Sequence, residues 1–135
     1  MEYFTPLQNL LSKVARHPEK TFLHQPVNRQ WQKFTWQDVD QQARCIASAL
    51  KEQGYEYGAN IGILSKNCAQ WIIADLAIMM AGMISVPIYP TANRKTISYV
   101  IKNANLKAIF VGKLDDTTEA EAAIDESILR VALPY

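Results

Sequence analysis

At 135 residues, 49% hydrophobic and 20% charged, the chain has the apolar content of one packed domain or part of a larger one, not of a disordered segment. A net charge of +1 gives no electrostatic footprint for nucleic acid or an anionic membrane. Two isolated cysteines, Cys45 and Cys68, exclude a disulfide framework and point to a reducing cytosol.

The opening Met1-Glu2-Tyr3-Phe4-Thr5-Pro6 lacks a basic start followed by an apolar run, so no signal peptide is expected there. Phe4 to Arg16 reads as an amphipathic helix, with Leu7, Leu10, Leu11 and Val14 on one face and Pro18 as its stop. Thr21–His24 and Trp31–Thr35 are extended runs. Pro26, Asn28 and Arg29 between them carry turn chemistry, which predicts a hairpin. Thr35 is a good N-cap, and Asp38 three residues on makes a capping box. Val39, Ala43, Ile46 and Leu50 continue that helix to about Gln53, and Gly54 can close it.

From residue 60 the pattern alternates. Asn60–Leu64 predicts a strand. The apolar stretch from Cys68 to Ala81 predicts a buried helix capped by Asn67 and ended by Gly82. That stretch is too short to cross a bilayer, which takes about 20 apolar residues. Ile84–Tyr89 predicts a strand, and Thr91 or Asn93 can cap a helix carrying Ile97, Val100, Ile101 and Ala104. Lys107–Val111 predicts a strand and Thr117–Glu126 a helix capped by Asp115 or Asp116. Ile128–Ala132 predicts a last strand. The β-α-β-α-β-α-β order implies an α/β fold, a parallel sheet with right-handed crossovers and helices on both faces. Pro87 cannot donate to a ladder and implies a bulge or an unpaired edge.

Chemical motifs are sparse. The five glycines form neither a dinucleotide turn nor a phosphate loop, and no nucleophile elbow occurs. His17 and His24 have no nearby nucleophile or ligand partner and read as surface or turn residues. Cys68 near a helix start could carry a thiolate, or it could be a small core residue. Asp75 within an apolar helix must be paired, neutral or partly exposed.

Taken in order, several segments resemble the adenylate-forming enzymes. His17-Pro18-Glu19-Lys20-Thr21-Phe22 is similar to their opening, and Trp31 to Trp36 to their hairpin strand running into the first long helix. Ser65, Asn67 and Trp71 match a Ser-x-Asn-x-x-x-Trp step. Ala81-Gly82-Met83-Ile84-Ser85-Val86-Pro87-Ile88-Tyr89-Pro90-Thr91 resembles a run of the long-chain acyl-CoA synthetases in particular. The likeness covers residues 5 to 112.

The resemblance implies the N-terminal portion of such a synthetase. Residues 1–135 would form a single partial domain, with helix and hairpin over 1–35 and a parallel α/β part over 36–135. The whole enzyme would use ATP, Mg²⁺ and coenzyme A to turn a fatty acid into its thioester. The phosphate loop and later motifs would lie downstream. This stretch would then bind no cofactor alone and carry no catalytic or metal-ligating residue. The resemblance places Tyr89, Pro90 and Thr91 toward the coenzyme A channel; the plainer reading is that Pro90 and Thr91 stop a strand and cap a helix. Its partner would be the remainder of the synthetase, with a homo-oligomer as a further option and nucleic acid excluded. Location would be cytoplasmic, with a peripheral place at the membrane as the alternative for the whole enzyme. The competing reading is a stand-alone α/β binding or oligomerisation module.

Overall fold

The computed structural model describes residues 3–134; Met1, Glu2 and Tyr135 of the expected single domain lie outside them. Helix α1 spans Pro6–Arg16, strands β1 and β2 Thr21–Val27 and Gln30–Thr35, and α2 Trp36–Glu52. Then follow β3 (Asn60–Leu64), α3 (Ala69–Met80), β4 (Ile84–Ile88), α4 (Arg94–Asn103), β5 (Ala108–Val111), α5 (Thr118–Ala123) and β6 (Leu129–Ala132).

Local chemistry sets the ends of these elements. Helix α1 starts at Pro6, not Phe4, because Thr5 is extended and closes a capping box with Gln8. The hairpin turn is the pair Asn28 and Arg29, both at positive φ, which matches the twist of two antiparallel strands. Pro26 was expected in that turn. It lies instead within β1, opposite Trp31, where a two-stranded ribbon leaves room for a missing donor. At α2, Thr35 Oγ1 accepts the Asp38 N–H at 3.1 Å, and Asp38 Oδ2 accepts the Thr35 N–H at 2.8 Å. The Trp36 ring stacks on Phe22 at 3.7 Å, fixing the hairpin to the helix start. Helix α5 is shorter than expected. Ile124 turns extended, and Asp125 then accepts the Ser127 N–H in a local turn. Its first-turn support comes from Asp116, whose carboxylate accepts the Thr118 hydroxyl and N–H.

The main sheet is four-stranded and parallel, in the order β4-β3-β5-β6. Ile61, Ile63 and Phe110 face α2 and α3, packing on Leu50, Ala74 and Ile78. Leu64 and Ile109 face the other way, onto Ile97 and Ile101 of α4 and Ala120 of α5. Helix α1 and the hairpin close a third cluster with α2 and α3 around Leu10, Val39 and Ile73. Gly62 in β3 is a place of close approach: a Cβ there would meet Leu106 Cδ1 at 2.8 Å.

Pro87 resolves into the unpaired-edge option. The Ile84 N–H donates to the Ala59 carbonyl beside β3. Backbone groups of successive strand residues face opposite neighbours, so Ser85 and Pro87 turn outward. The proline therefore removes an outward N–H and no ladder bond.

Three outcomes follow for stability. Thr35→Ala should lower unfolding free energy by about 1 kcal/mol in urea titration. The Asp38 carboxyl is held below its ordinary 3.8 by hydrogen bonds from Thr35, the backbone N–H first. Its contribution is full above that ordinary value and lost as pH falls through the lower folded value. Asp38→Asn should thus be less stable than the parent at pH 7, with the gap closing in acid below 3.8. A gap independent of pH would refute the ionic part of this cap. At the end of β5, a Cβ on Gly112 would sit 2.3 Å from Ser65 Oγ. Gly112→Ala should accordingly cost about 1–3 kcal/mol by the same measurement.

Candidate functional site at the carboxyl ends of the strands

The chain leaves β3 in one direction to form β4 and returns past it to form β5, so strand order reverses between β3 and β5. In open α/β sheets ligands bind at the carboxyl ends of strands beside such a reversal. Here the loops after β3 and β5 meet. The Lys66 N–H donates to the Lys113 carbonyl at 2.8 Å, and Lys66 Nζ pairs with Asp115. Ser65 is buried and donates to the Lys66 carbonyl at 2.8 Å.

Asn67 does not cap α3, contrary to expectation. Cys68 is the cap residue and offers no side-chain bond. The first donor of the helix, the Ala69 N–H, is taken by Gln25 Oε1 of the hairpin at 2.9 Å. A side chain 44 residues away thus replaces the local cap. Freed from capping, Asn67 is exposed. Cys68 is buried, in line with the small core residue.

Asn67 and Trp71 form a ridge between two clefts. The larger, about 590 Å³, lies against the hairpin and takes His24, Gln25 and Lys113 into its walls. The smaller, about 410 Å³, runs from Ser65 to Ile88, Tyr89 and Pro90. Tyr89 is 84% exposed, and its carbonyl accepts the Ala92 N–H at 3.0 Å in a turn. Pro90 is half-buried beside it; Thr91 is exposed and lines neither cleft. Asn93, the other cap offered by the sequence, holds the start of α4 by accepting the Thr96 N–H. The structure therefore brings Tyr89 and Pro90 together with Asn67 and Trp71, and leaves Thr91 aside.

His24, Gln25 and Lys113 reach the larger cleft from the hairpin and the β5 loop. No local spacing announces that convergence. His17 is exposed at the end of α1, and Asp75 is half-buried on α3, without an ion pair among the described residues.

The chemistry offered is recognition: aromatic faces on Trp71 and Tyr89, amides on Asn67 and Gln25, and one cation, Lys113. Lys66 is neutralised by Asp115. Helix α4, which follows the Tyr89 turn, carries Arg94, Lys95 and Lys102 and no acidic residue. Among the described residues no three His, Cys, Asp or Glu side chains group as metal ligands.

Comparison with known proteins fits this geometry. The sequence matches long chain acyl-CoA synthetase 1 of Arabidopsis thaliana at 36% identity over 77 residues, 57% of this chain and 12% of that protein. It matches long chain acyl-CoA synthetase 2 of the same plant at 30% over 112 residues, 79% of this chain and 17% of that protein. The chain thus spans less than a fifth of the length of these relatives. Among solved structures, IdnL1 superposes with a TM-score of 0.83 at 20% identity, covering 95% of this chain and 25% of that one. A Legionella pneumophila fatty acyl-adenylate ligase, solved with acyl adenylate and pyrophosphate, superposes at 0.76 with 22% identity, covering 94% and 23%. The sequence pattern of the AMP-binding enzymes matches residues 10–133, and the chain belongs to that family.

Proposed function

We propose that this chain is the N-terminal part of a long-chain fatty acid–CoA ligase, supplying a wall of the coenzyme A channel and none of the catalytic groups. The observation that carries the reading is the run Ala81–Thr91, which resembles the long-chain synthetases in sequence and whose Tyr89 and Pro90 line a cleft at the strand ends. In the reaction proposed for the whole enzyme, a carboxylate oxygen of the fatty acid bonds to the α-phosphorus of ATP and pyrophosphate departs. The thiolate of coenzyme A then attacks the acyl carbon, and AMP leaves as the thioester forms. Mg²⁺ would neutralise the phosphates from ligands in the remainder of the enzyme.

The roles left to this chain are binding ones. Tyr89 offers a face for stacking and Pro90 stiffens the turn, while Thr91 follows them outside the cleft. Lys95 and Lys102 on α4 attract the phosphates of coenzyme A by long-range charge. Residues 1–135 act in this reading as one partial domain, soluble in the cytoplasm or resting peripherally on a membrane with the rest of the enzyme. None of the helices is long and apolar enough to cross a membrane among the described residues.

The test is a chimera in which residues 3–134 replace the matching segment of Arabidopsis synthetase 2. The folded chimera should form acyl-CoA from palmitate, ATP and coenzyme A, while this chain alone forms none. Tyr89→Ala in the chimera should raise KM for coenzyme A about fivefold, the loss of an aromatic contact worth about 1 kcal/mol, and leave KM for palmitate unchanged. A folded but inactive chimera sinks the ligase reading. An unchanged KM for coenzyme A sinks the assignment of Tyr89.

A further inference from the structure

The start of α4 is built against its own dipole. Arg94 and Lys95 open the helix, and its first turn holds no acidic residue. Cations at the positive end of a helix are unfavourable, and a carboxylate placed there offsets them. Here that carboxylate comes from another element. Glu119 of α5, 25 residues on in sequence, accepts the Arg94 N–H through Oε2. With the Thr96 N–H on Asn93 Oδ1, two of the free donors of the first turn are met.

The backbone of Glu119 is fixed from both sides. Thr118 before it is held by Asp116, whose carboxylate accepts the Thr118 N–H at 2.9 Å. Ala120 after it is buried in the cluster that contains Ile97 and Ile101 of α4. The carboxylate thus reaches α4 from a point that the packing of α5 sets.

The turn that carries Tyr89 hangs from the same helix start. Tyr89 is 84% exposed, so packing does little to set its ring. Its placement rests on anchors at three successive residues. The Ala92 N–H donates to the Tyr89 carbonyl, the Asn93 side chain accepts from Thr96, and the Arg94 N–H donates to Glu119. The first two anchors are local. The third ties the turn to α5 and lies outside residues 5 to 112, so the resemblance drawn from the sequence assigns Glu119 nothing.

We propose that Glu119 is a positioning residue: through the Arg94 N–H it fixes the start of α4 and so presents Tyr89 and Pro90 to coenzyme A. This rests on the ligase reading above. Glu119 acts through the backbone and touches no ligand. The sign of its effect follows from that. A carboxylate that acted by charge alone would repel the phosphates of coenzyme A, and its removal would lower KM. A carboxylate that holds the turn has the opposite effect.

The experiment has two arms. In the full 135-residue chain, amide hydrogen exchange followed by NMR reads the contact itself. Glu119→Ala should speed exchange of the Arg94 N–H about fivefold or more, and Glu119→Gln, which keeps an acceptor oxygen, should restore most of the protection. In the chimera described above, Glu119→Ala should raise KM for coenzyme A about threefold and leave kcat and KM for palmitate unchanged. Glu119→Gln should stay close to the parent in the same assay. Glu121→Ala, in the same turn of α5, should change neither readout. Circular dichroism confirms that each variant is folded. Unchanged exchange at Arg94 in Glu119→Ala overturns the proposal, as does a KM for coenzyme A that stays level or falls. An equal loss in Glu121→Ala also overturns it, by making the effect one of α5 stability. An active chimera with unchanged KM in Glu119→Ala refutes only the role of Glu119, and an inactive parent chimera refutes the ligase reading and this role with it.

Discussion

The fold depends on one constraint: a parallel strand cannot be joined to its neighbour by a tight turn. Each pairing needs a crossover, and each crossover lays a helix on a face of the sheet. β3 bears this twice, paired with β4 on one side and β5 on the other. Its side chains must therefore be apolar on both faces. Ile61 and Ile63 meet α2 and α3, and Leu64 meets the α4 side. Where Leu106 and Ile109 close over β3 no side chain fits at all, hence Gly62. The site inherits its place from the same constraint, because β4 and β5 are laid on opposite sides of β3 and the crevice that Asn67 and Trp71 divide opens at that reversal.

The hairpin and α1 lie outside that sheet, yet they are tied to it through polar and aromatic contacts. Phe22 stacks on Trp36, and Gln25 supplies the bond that the start of α3 lacks. An orphan helix donor facing a partly buried crevice would carry a desolvation cost. Gln25 removes it and at the same time walls the larger cleft. One side chain thus serves both helix stability and the shape of the site.

What the sequence made legible was whatever is decided within a few residues. The Thr35–Asp38 box, the close at Gly54 and the apolar strands of the parallel sheet are local events, and the pattern showed each. The sequence suggests Asn67 as a cap because nothing within four residues shows that Gln25 takes the Ala69 N–H. Pro26 was placed in the turn because proline usually sits there; an exposed ribbon edge tolerates it equally. Helix α5 was drawn too long because the acidic run 115–126 reads as helical, and the local bonds of Asp125 win at its end. For the site, Tyr89 and Pro90 were visible through their likeness to a longer pattern. His24, Gln25 and Lys113 were not, since only the folded chain brings them to the cleft.

The two edges of the sheet argue for how the chain is used. A protein that worked alone would gain from blunting both, since an open strand beside an apolar groove invites aggregation. Only β4 is blunted, by a proline turned outward at no cost to the ladder. β6 keeps its outward donors at Arg130 and Ala132 and keeps Leu129 and Val131 at the border of uncovered space. Protection at one edge and exposure at the other is the pattern of a surface meant to be covered from one side. It accords with the proposed reading of the chain as part of a larger enzyme, in which the open side would be covered.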